Sequence, residues 1–211
     1  MLSDKYTPQG YDFWAKRSPK DTHRDWQYDT SSWLSDYIKS TEHPHRKMII
    51  DFLQLLEPYK SLLEIGCNTG PNLVRVVNKK IAGIDANKEA IQYARAILPD
   101  ADLRVGDFHT LPWEDKSFDV LLADAALMYV DPDHIYPMLE EIDRVVKKGV
   151  VIVDRFNESL GGVVTGYVWG RNYPKLLESL GFTVYTREIT KELWPESENW
   201  QKYGIIASAA R

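Results

Sequence analysis

The residues with the most chemical promise begin at Glu64. In LLEIGCNTGPNL, residues 62–73, an apolar run leads straight into Gly66-Cys67-Asn68-Thr69-Gly70. Glycines at both ends of such a turn let the backbone bend sharply and let a ligand approach the main chain. Asp85 closes the next apolar run, in Gly83-Ile84-Asp85-Ala86. It follows the first glycine by about 20 residues, the spacing at which nucleotide-binding folds place the acid that grips a ribose. A third stretch, RVGDFHTLPW at 104–113, sets Asp107 beside Phe108. The carboxylate could accept from an adenine amino group while the ring offers a flat apolar face. Plainer readings stay open. Asp85 could cap the helix that follows, and Asp107 could be a loop carboxylate beside a core phenylalanine.

These residues need strand ends to hold them. Ser61–Ile65, Ile81–Ile84, Leu103–Val105, Ser117–Leu122 and Val150–Val153 read as strands. Between them Pro71–Asn78, Lys88–Ile97 and His134–Val146 read as helices. Alternating strands and helices imply a parallel sheet with helices on both faces. The runs LLEI, VLLA and VVIV suit strands covered on both sides. Upstream, the spacing predicts a helix from His45 to Leu56, ended by Pro58. Downstream it predicts a helix over Tyr173–Leu180 and strands over Phe182–Ile189 and Tyr203–Ala210, with KELWPESENWQ as a loop. The fold expected is α/β and doubly wound: a mostly parallel seven-stranded sheet, helices on both faces, the last strand antiparallel, and an N-terminal helical cap. Residues 1–57 would form the cap and lead-in helix, and 58–211 the core, in one structural domain.

LLEIGCNTG, GIDAN, GDFHTLPW and SFDVLLADAALMYV, in that order, resemble the motifs of class I S-adenosylmethionine-dependent methyltransferases, which are Rossmann-like. The resemblance spans about residues 60–155. It implies S-adenosyl-L-methionine as cofactor, with Glu64, Gly66 and Gly70 along its amino-acid portion. It further implies Asp85 and Ala86 at the ribose, Asp107 at the adenine and Phe108 flanking it. Asn68 departs from the family's usual glycine, although Asn tolerates the left-handed conformation better than most residues. A nicotinamide enzyme fits less well. The spacing is not G-x-G-x-x-G, and Glu64 would repel a pyrophosphate, whereas the ammonium of the methyl donor welcomes a carboxylate.

Methyl transfer from a sulfonium needs alignment and exclusion of water more than covalent help. A protic acceptor would still need a base. Asp124, the first polar residue past VLLA, and Tyr129 are candidates on the loop after the fourth strand, Asp124 also as a cofactor contact. His134 and His109 are candidate bases, although lone histidines are more often structural, and His134 also sits naturally at a helix start. Ala125 could offer backbone contact to the cofactor. Tyr11, Trp14 and Arg17 are candidates for closing over the donor, with Arg17 as the carboxylate partner. Gly161, Gly162, Gly166 and Gly170 leave 161–172 free to act as a lid or as an ordinary loop.

Composition narrows the partners. The 211 residues carry a net charge of −5, which gives no general field for a phosphate backbone, so no nucleic-acid partner is expected. A single cysteine, Cys67, excludes an intrachain disulfide and cannot by itself bind zinc, so no metal site is expected. No signal peptide and no long apolar run are visible, which points to a cytoplasmic protein, monomer or homodimer, without a membrane partner. The function expected is methyl transfer to a small-molecule acceptor. RNA or protein methylation, or cofactor binding without turnover on the same fold, are the alternatives.

Overall fold

The computed structural model describes residues 14–17, 37–158, 162–165 and 168–211. Seven strands form one sheet: β1 (Ser61–Ile65), β2 (Lys80–Asp85), β3 (Asp102–Val105), β4 (Phe118–Asp124), β5 (Val146–Arg155), β8 (Thr183–Glu188) and β9 (Gly204–Ala210). Their order is β3-β2-β1-β4-β5-β9-β8. Strands β1 to β5 run parallel, and β9 lies antiparallel to both β5 and β8. A separate two-stranded sheet pairs β6 (Gly162–Thr165) antiparallel with β7 (Val168–Gly170).

Side chains alternate across the sheet, so each strand feeds two cores. Leu63, Ile65, Leu121, Ala123, Val150 and Ile152 point to one face. There they meet α3 (Ile135–Val145) and α4 (Tyr173–Ser179). Leu62, Val120, Leu122, Val151 and Val153 point to the other face, against α1 (Pro44–Gln54) and α2 (Lys88–Ile97). Both sides being covered explains why these strands are apolar at nearly every position. The same register fixes the polar exceptions. Glu64 pairs with Leu122, so Glu64 and Asp124 share the α1 face of neighbouring strands.

Three elements depart from expectation. Pro71–Asn78 holds only a single 3-10 turn, Leu73–Arg75, and Val76 is already extended. The β-branched Val74, Val76 and Val77 disfavour a helix there. Asn72 also turns its side chain inward to Glu64 and Asp124, and Asn78 is left-handed. The KELWPESENWQ stretch is not all loop. Ser197 caps α5 (Glu198–Tyr203) by accepting from Trp200 N–H, a Ser-x-x start followed by acidic Glu198. The 161–172 region, expected as lid or loop, carries the antiparallel β6–β7 pair. The N-terminal helical cap falls largely outside the described residues. Among the described residues, no helix is long and apolar enough to cross a membrane.

Candidate active site

Strands β1, β2 and β4 all end at the same edge of the sheet, and the chain leaves β1 in one direction and β4 in the other. That reversal is where open parallel sheets form a ligand crevice. A cavity lies there, about 1100 Å³ when its open mouth is counted.

The glycine turn forms its floor. Gly66 N–H and Cys67 N–H both donate to Ile84 O, at 2.8 and 3.1 Å, tying the turn to the end of β2. Gly66 has φ +67°, and a Cβ there would stand 2.7 Å from the Ala126 Cβ. Only glycine permits that approach. Asn68 takes φ +48°, the left-handed conformation its side chain tolerates. Ala125, on the loop after β4, also has φ +53°. For a residue with a Cβ this costs about 1–2 kcal/mol, and such strain gathers at functional sites.

Asp85 is buried. Its two oxygens accept from Asn68 N–H at 2.9 Å and Asn87 N–H at 2.8 Å. It is not the cap of α2. Asn87 is, accepting from Glu89 and Ala90 N–H. Burial pushes the Asp85 carboxyl up, and the two N–H donors oppose that rise. A carboxylate offers about four lone-pair sites, so two remain for hydroxyl donors.

Glu64 and Asp124 form the polar wall. Asn72 Nδ2 donates to Glu64 Oε1 at 2.7 Å and to Asp124 Oδ2 at 3.0 Å. Arg46 Nη1 donates to the same Asp124 oxygen at 3.0 Å, and His45 Nε2 lies 3.2 Å from it. Burial alone would raise Asp124, but His45, Arg46 and Asn72 outweigh it and hold the carboxyl well below its usual range. Glu64 is pushed up to about 8, mainly by burial, with the Asp124 charge adding to it. Glu64 Oε2 and Asp124 Oδ1 accept no hydrogen bond among the described residues. Orphaned buried oxygens of this kind ask for a ligand donor.

Of the residues singled out from sequence, Trp14, Glu64, Gly66, Asn68, Asp85, Ala86, Phe108, Asp124, Ala125 and Tyr129 line this cavity. Others do not. Gly70 (φ +80°) packs the turn against Ala94 and Leu98. Asp107 is exposed and accepts from His109 N–H at 2.9 Å, as a short turn cap. His134 is the exposed residue before α3 and faces His109, whereas His109 does reach the cavity. Arg17 is buried with its guanidinium over the Trp14 ring, apart from the lining. Tyr11 lies outside the described residues. Asp124, a candidate both as catalytic residue and as cofactor contact, is committed to an ion-pair hub. Its depressed pKa makes it a poor base.

Sequence reasoning missed the opposite wall: Tyr37, His43, His45, Arg46, Asn72 and Trp194. The signal was present in His43-Pro44-His45-Arg46. Proline at the first helical position aims both histidines and the arginine from the start of α1 toward the strand ends. Trp194, from the distant β8–α5 connection, stacks on His45 at 4.2 Å, and nothing local in sequence reveals that contact.

The chain is similar to known proteins. Residues 63–153 match the family described as methyltransferase domain. An uncharacterized 37.1 kDa protein of transposon TN4556 from Streptomyces fradiae is 32% identical over 78% of this chain and 47% of its own length. A probable phthiotriol/phenolphthiotriol dimycocerosates methyltransferase from Mycobacterium ulcerans is 30% identical over 59% of this chain and 51% of its own length. The chain thus spans about half the length of these curated relatives. Among solved structures, magnesium protoporphyrin IX methyltransferase from Synechocystis with bound SAH superposes with TM-score 0.64. That match is 12% identical and covers 89% of this chain and 91% of the other, a likeness of fold.

Proposed function

We propose that this protein, whose residues 63–153 match the methyltransferase-domain family, transfers the methyl group of S-adenosylmethionine to a small-molecule acceptor by in-line displacement. The observation that carries the proposal is the unsatisfied Glu64 Oε2 on the cavity wall. A buried carboxyl with a bare oxygen can ionise to pair with an ammonium group, which a phosphate does not offer.

The residues present fit the rest of the donor. Asp85 has accepting capacity left for a ribose diol, Asn68 and Ala86 border it, and Phe108 offers a face to an adenine. Ala125, left-handed and next to the strand end, turns its backbone along the site. When bound, S-adenosylmethionine supplies a methyl carbon already activated by its positively charged sulfur. The chain's task is then to hold an acceptor atom in line at about 3–3.5 Å and to keep water out.

Trp14, Tyr37, Tyr129 and Trp194 surround the remaining space with aromatic surface. Rigid apolar walls of this kind suit a flat, largely apolar acceptor. The relative named for phthiotriol/phenolphthiotriol dimycocerosates supports a small-molecule class. We read residues 1–57 as a cap and lead-in helix on the 58–211 core. Three contacts support this: Asn87 Nδ2 donates to Trp14 O at 2.8 Å and Arg17 O at 3.0 Å, and the Trp14 ring meets Tyr129 edge-on at 5.7 Å. The one cysteine, buried and free, fits a reducing cytoplasm.

The test is turnover. Incubation with S-adenosylmethionine and a panel of flat apolar phenols, quinols and porphyrins should release S-adenosylhomocysteine above the acceptor-free rate. Donor binding with no turnover across small molecules, but methylation of RNA or protein substrates, would overturn the acceptor class.

A further inference from the structure

Arg155 is the last residue of β5, two positions past Val153, which pairs with Asp124. It therefore stands at the sheet edge where the cavity opens. Alternation along the strand puts its side chain on the α1 face, with Val151 and Val153. The residue is only 7% exposed. One face of its guanidinium lies 3.9 Å from the centre of the Trp200 ring. Trp200 stacks on Trp194 at 4.1 Å, and Tyr129 faces Arg155 from the loop after β4. Trp194 and Tyr129 both line the cavity, so Arg155 backs its aromatic wall. Strand β5 is two strands from β1, so this end of the wall is away from the glycine turn and Asp85.

What this arginine lacks is a counter-ion. Its Nε and Nη1 are buried and donate to no acceptor among the described residues. Asp154 adds a favourable charge, but alternation puts its side chain on the opposite face. Its two oxygens already accept from Met128 N–H at 2.9 Å and Arg155 N–H at 2.8 Å. Burial pulls the guanidinium down to about 10, against the pull of Asp154 and Tyr129. Two other buried arginines are served differently. Arg46 donates to Ser40 O at 2.7 Å and to Asp124 at 3.0 Å. Arg171 donates through Nη1 to Leu127 O at 2.8 Å and through Nη2 to Val130 O. Burying a charge without a hydrogen-bonded partner is costly. A guanidinium with one face on an aromatic ring and unfilled donors in its plane suits a planar anion.

We propose that Arg155 recognises a carboxylate on the methyl acceptor, reached from the cavity between Tyr129 and Trp194. The inference rests on the proposed methyl transfer to a small molecule and narrows the acceptor to a flat aromatic acid. The aromatic walls hold the ring, and the in-plane N–H groups of Arg155 take the acid. The two ligands are then sorted by charge at opposite ends of one cavity. The donor's ammonium goes to Glu64 on β1, and the acceptor's carboxylate goes to Arg155 on β5. Arg155 sets specificity and orientation, and takes no proton from the reacting atom.

The test uses the full chain saturated with S-adenosylhomocysteine and three probes: benzoate, its uncharged twin benzamide, and phenyl phosphate. Calorimetry should show benzoate binding about tenfold or more tighter than benzamide, the worth of a charged hydrogen bond. In 15N-labelled protein, benzoate should shift the arginine Nε–H resonance that is missing from the Arg155→Met spectrum, and benzamide should not. Arg155→Met should bind benzoate and benzamide equally and keep its affinity for S-adenosylhomocysteine. Equal binding of benzoate and benzamide by wild type would overturn the proposal, and that comparison decides it even if the variant fails to fold. Tighter binding of phenyl phosphate than of benzoate would overturn the carboxylate assignment. Loss of S-adenosylhomocysteine binding in a folded Arg155→Met protein would overturn it too, by giving Arg155 to the donor's own carboxylate. Failure of wild type to bind S-adenosylhomocysteine would instead sink the methyltransferase reading beneath it.

Discussion

Glu64→Gln keeps the side chain's size and its acceptance from Asn72, and removes a buried ionisable group. The wild-type carboxyl moves from its ordinary 4.5 to about 8, chiefly through burial. A group whose pKa is raised on folding contributes stability that is complete below 4.5 and lost as pH rises through about 8. At about 1.4 kcal/mol per pH unit, that loss has a ceiling near 5 kcal/mol. The amide of the variant cannot ionise, so its stability should be flat across the same window. Near pH 8 the variant should exceed wild type by about 4 kcal/mol, a rise of roughly 8–16 °C in Tm for a chain of this size. Below pH 5 the two should melt together. Ligand binding should move the other way. A neutral Glu64 must lose its proton to pair with an ammonium, so wild-type affinity for S-adenosylmethionine should tighten up to tenfold per unit from pH 6. This holds until the ligand's own α-amino group titrates at about 7.7–8.0. The Glu64→Gln protein should lose that slope and bind about 10- to 100-fold more weakly, the worth of a charged hydrogen bond. Thermal melts and calorimetry at pH 5, 6, 7 and 8 cover both halves. Equal pH dependence in the two proteins, or undiminished binding by the variant, would refute the assignment of Glu64.

Three other perturbations probe the frame around the site. Gly66→Ala forces a Cβ to 2.7 Å from Ala126 at φ +67°, so it should cost about 1–3 kcal/mol in urea melts and abolish donor binding. Retained nanomolar-to-micromolar binding would mean that the turn yields. Asn87→Ala removes the α2 cap and the anchor for Trp14 and Arg17 carbonyls, with an expected loss of about 1–2 kcal/mol and faster protease cleavage before residue 40. His45, lowered to about 4 by burial, excludes its proton on folding. Stability should therefore fall by about 3 kcal/mol as pH drops from 6.5 to 4, and His45→Gln should flatten that acid limb in a pH series of melts.

Much of this arrangement was legible in the chain itself, for reasons of period and chemistry. Helix α2 announces its bounds because Asn87 caps it and Ala90, Ile91 and Ala94 repeat at helical spacing. The sheet was readable because LLEI, VLLA and VVIV must be covered on both faces. Asp85 stood out from its place at a strand end and does line the cavity, and the capping role went instead to Asn87. What stayed hidden depends on long-range contact. Pro71 and helical-looking neighbours suggested a helix that Asn72 gives up by reaching inward to Glu64 and Asp124. Asp107 read as an adenine partner, yet its carboxylate turns to His109 N–H. The histidines favoured from sequence were His109 and His134, whereas His43 and His45 meet Asp124 and Glu196 only after α1 docks on the sheet. No local pattern couples residue 45 to residues 124 and 194.

Calorimetric titration of S-adenosylmethionine into wild-type protein and into Asp85→Ala bears most directly on the site. If the crevice above β1 and β2 holds the adenosyl group, wild type binds one equivalent, and loss of the ribose-gripping carboxylate weakens binding at least tenfold. No heat with wild type, or equal affinity for both proteins, would contradict that placement.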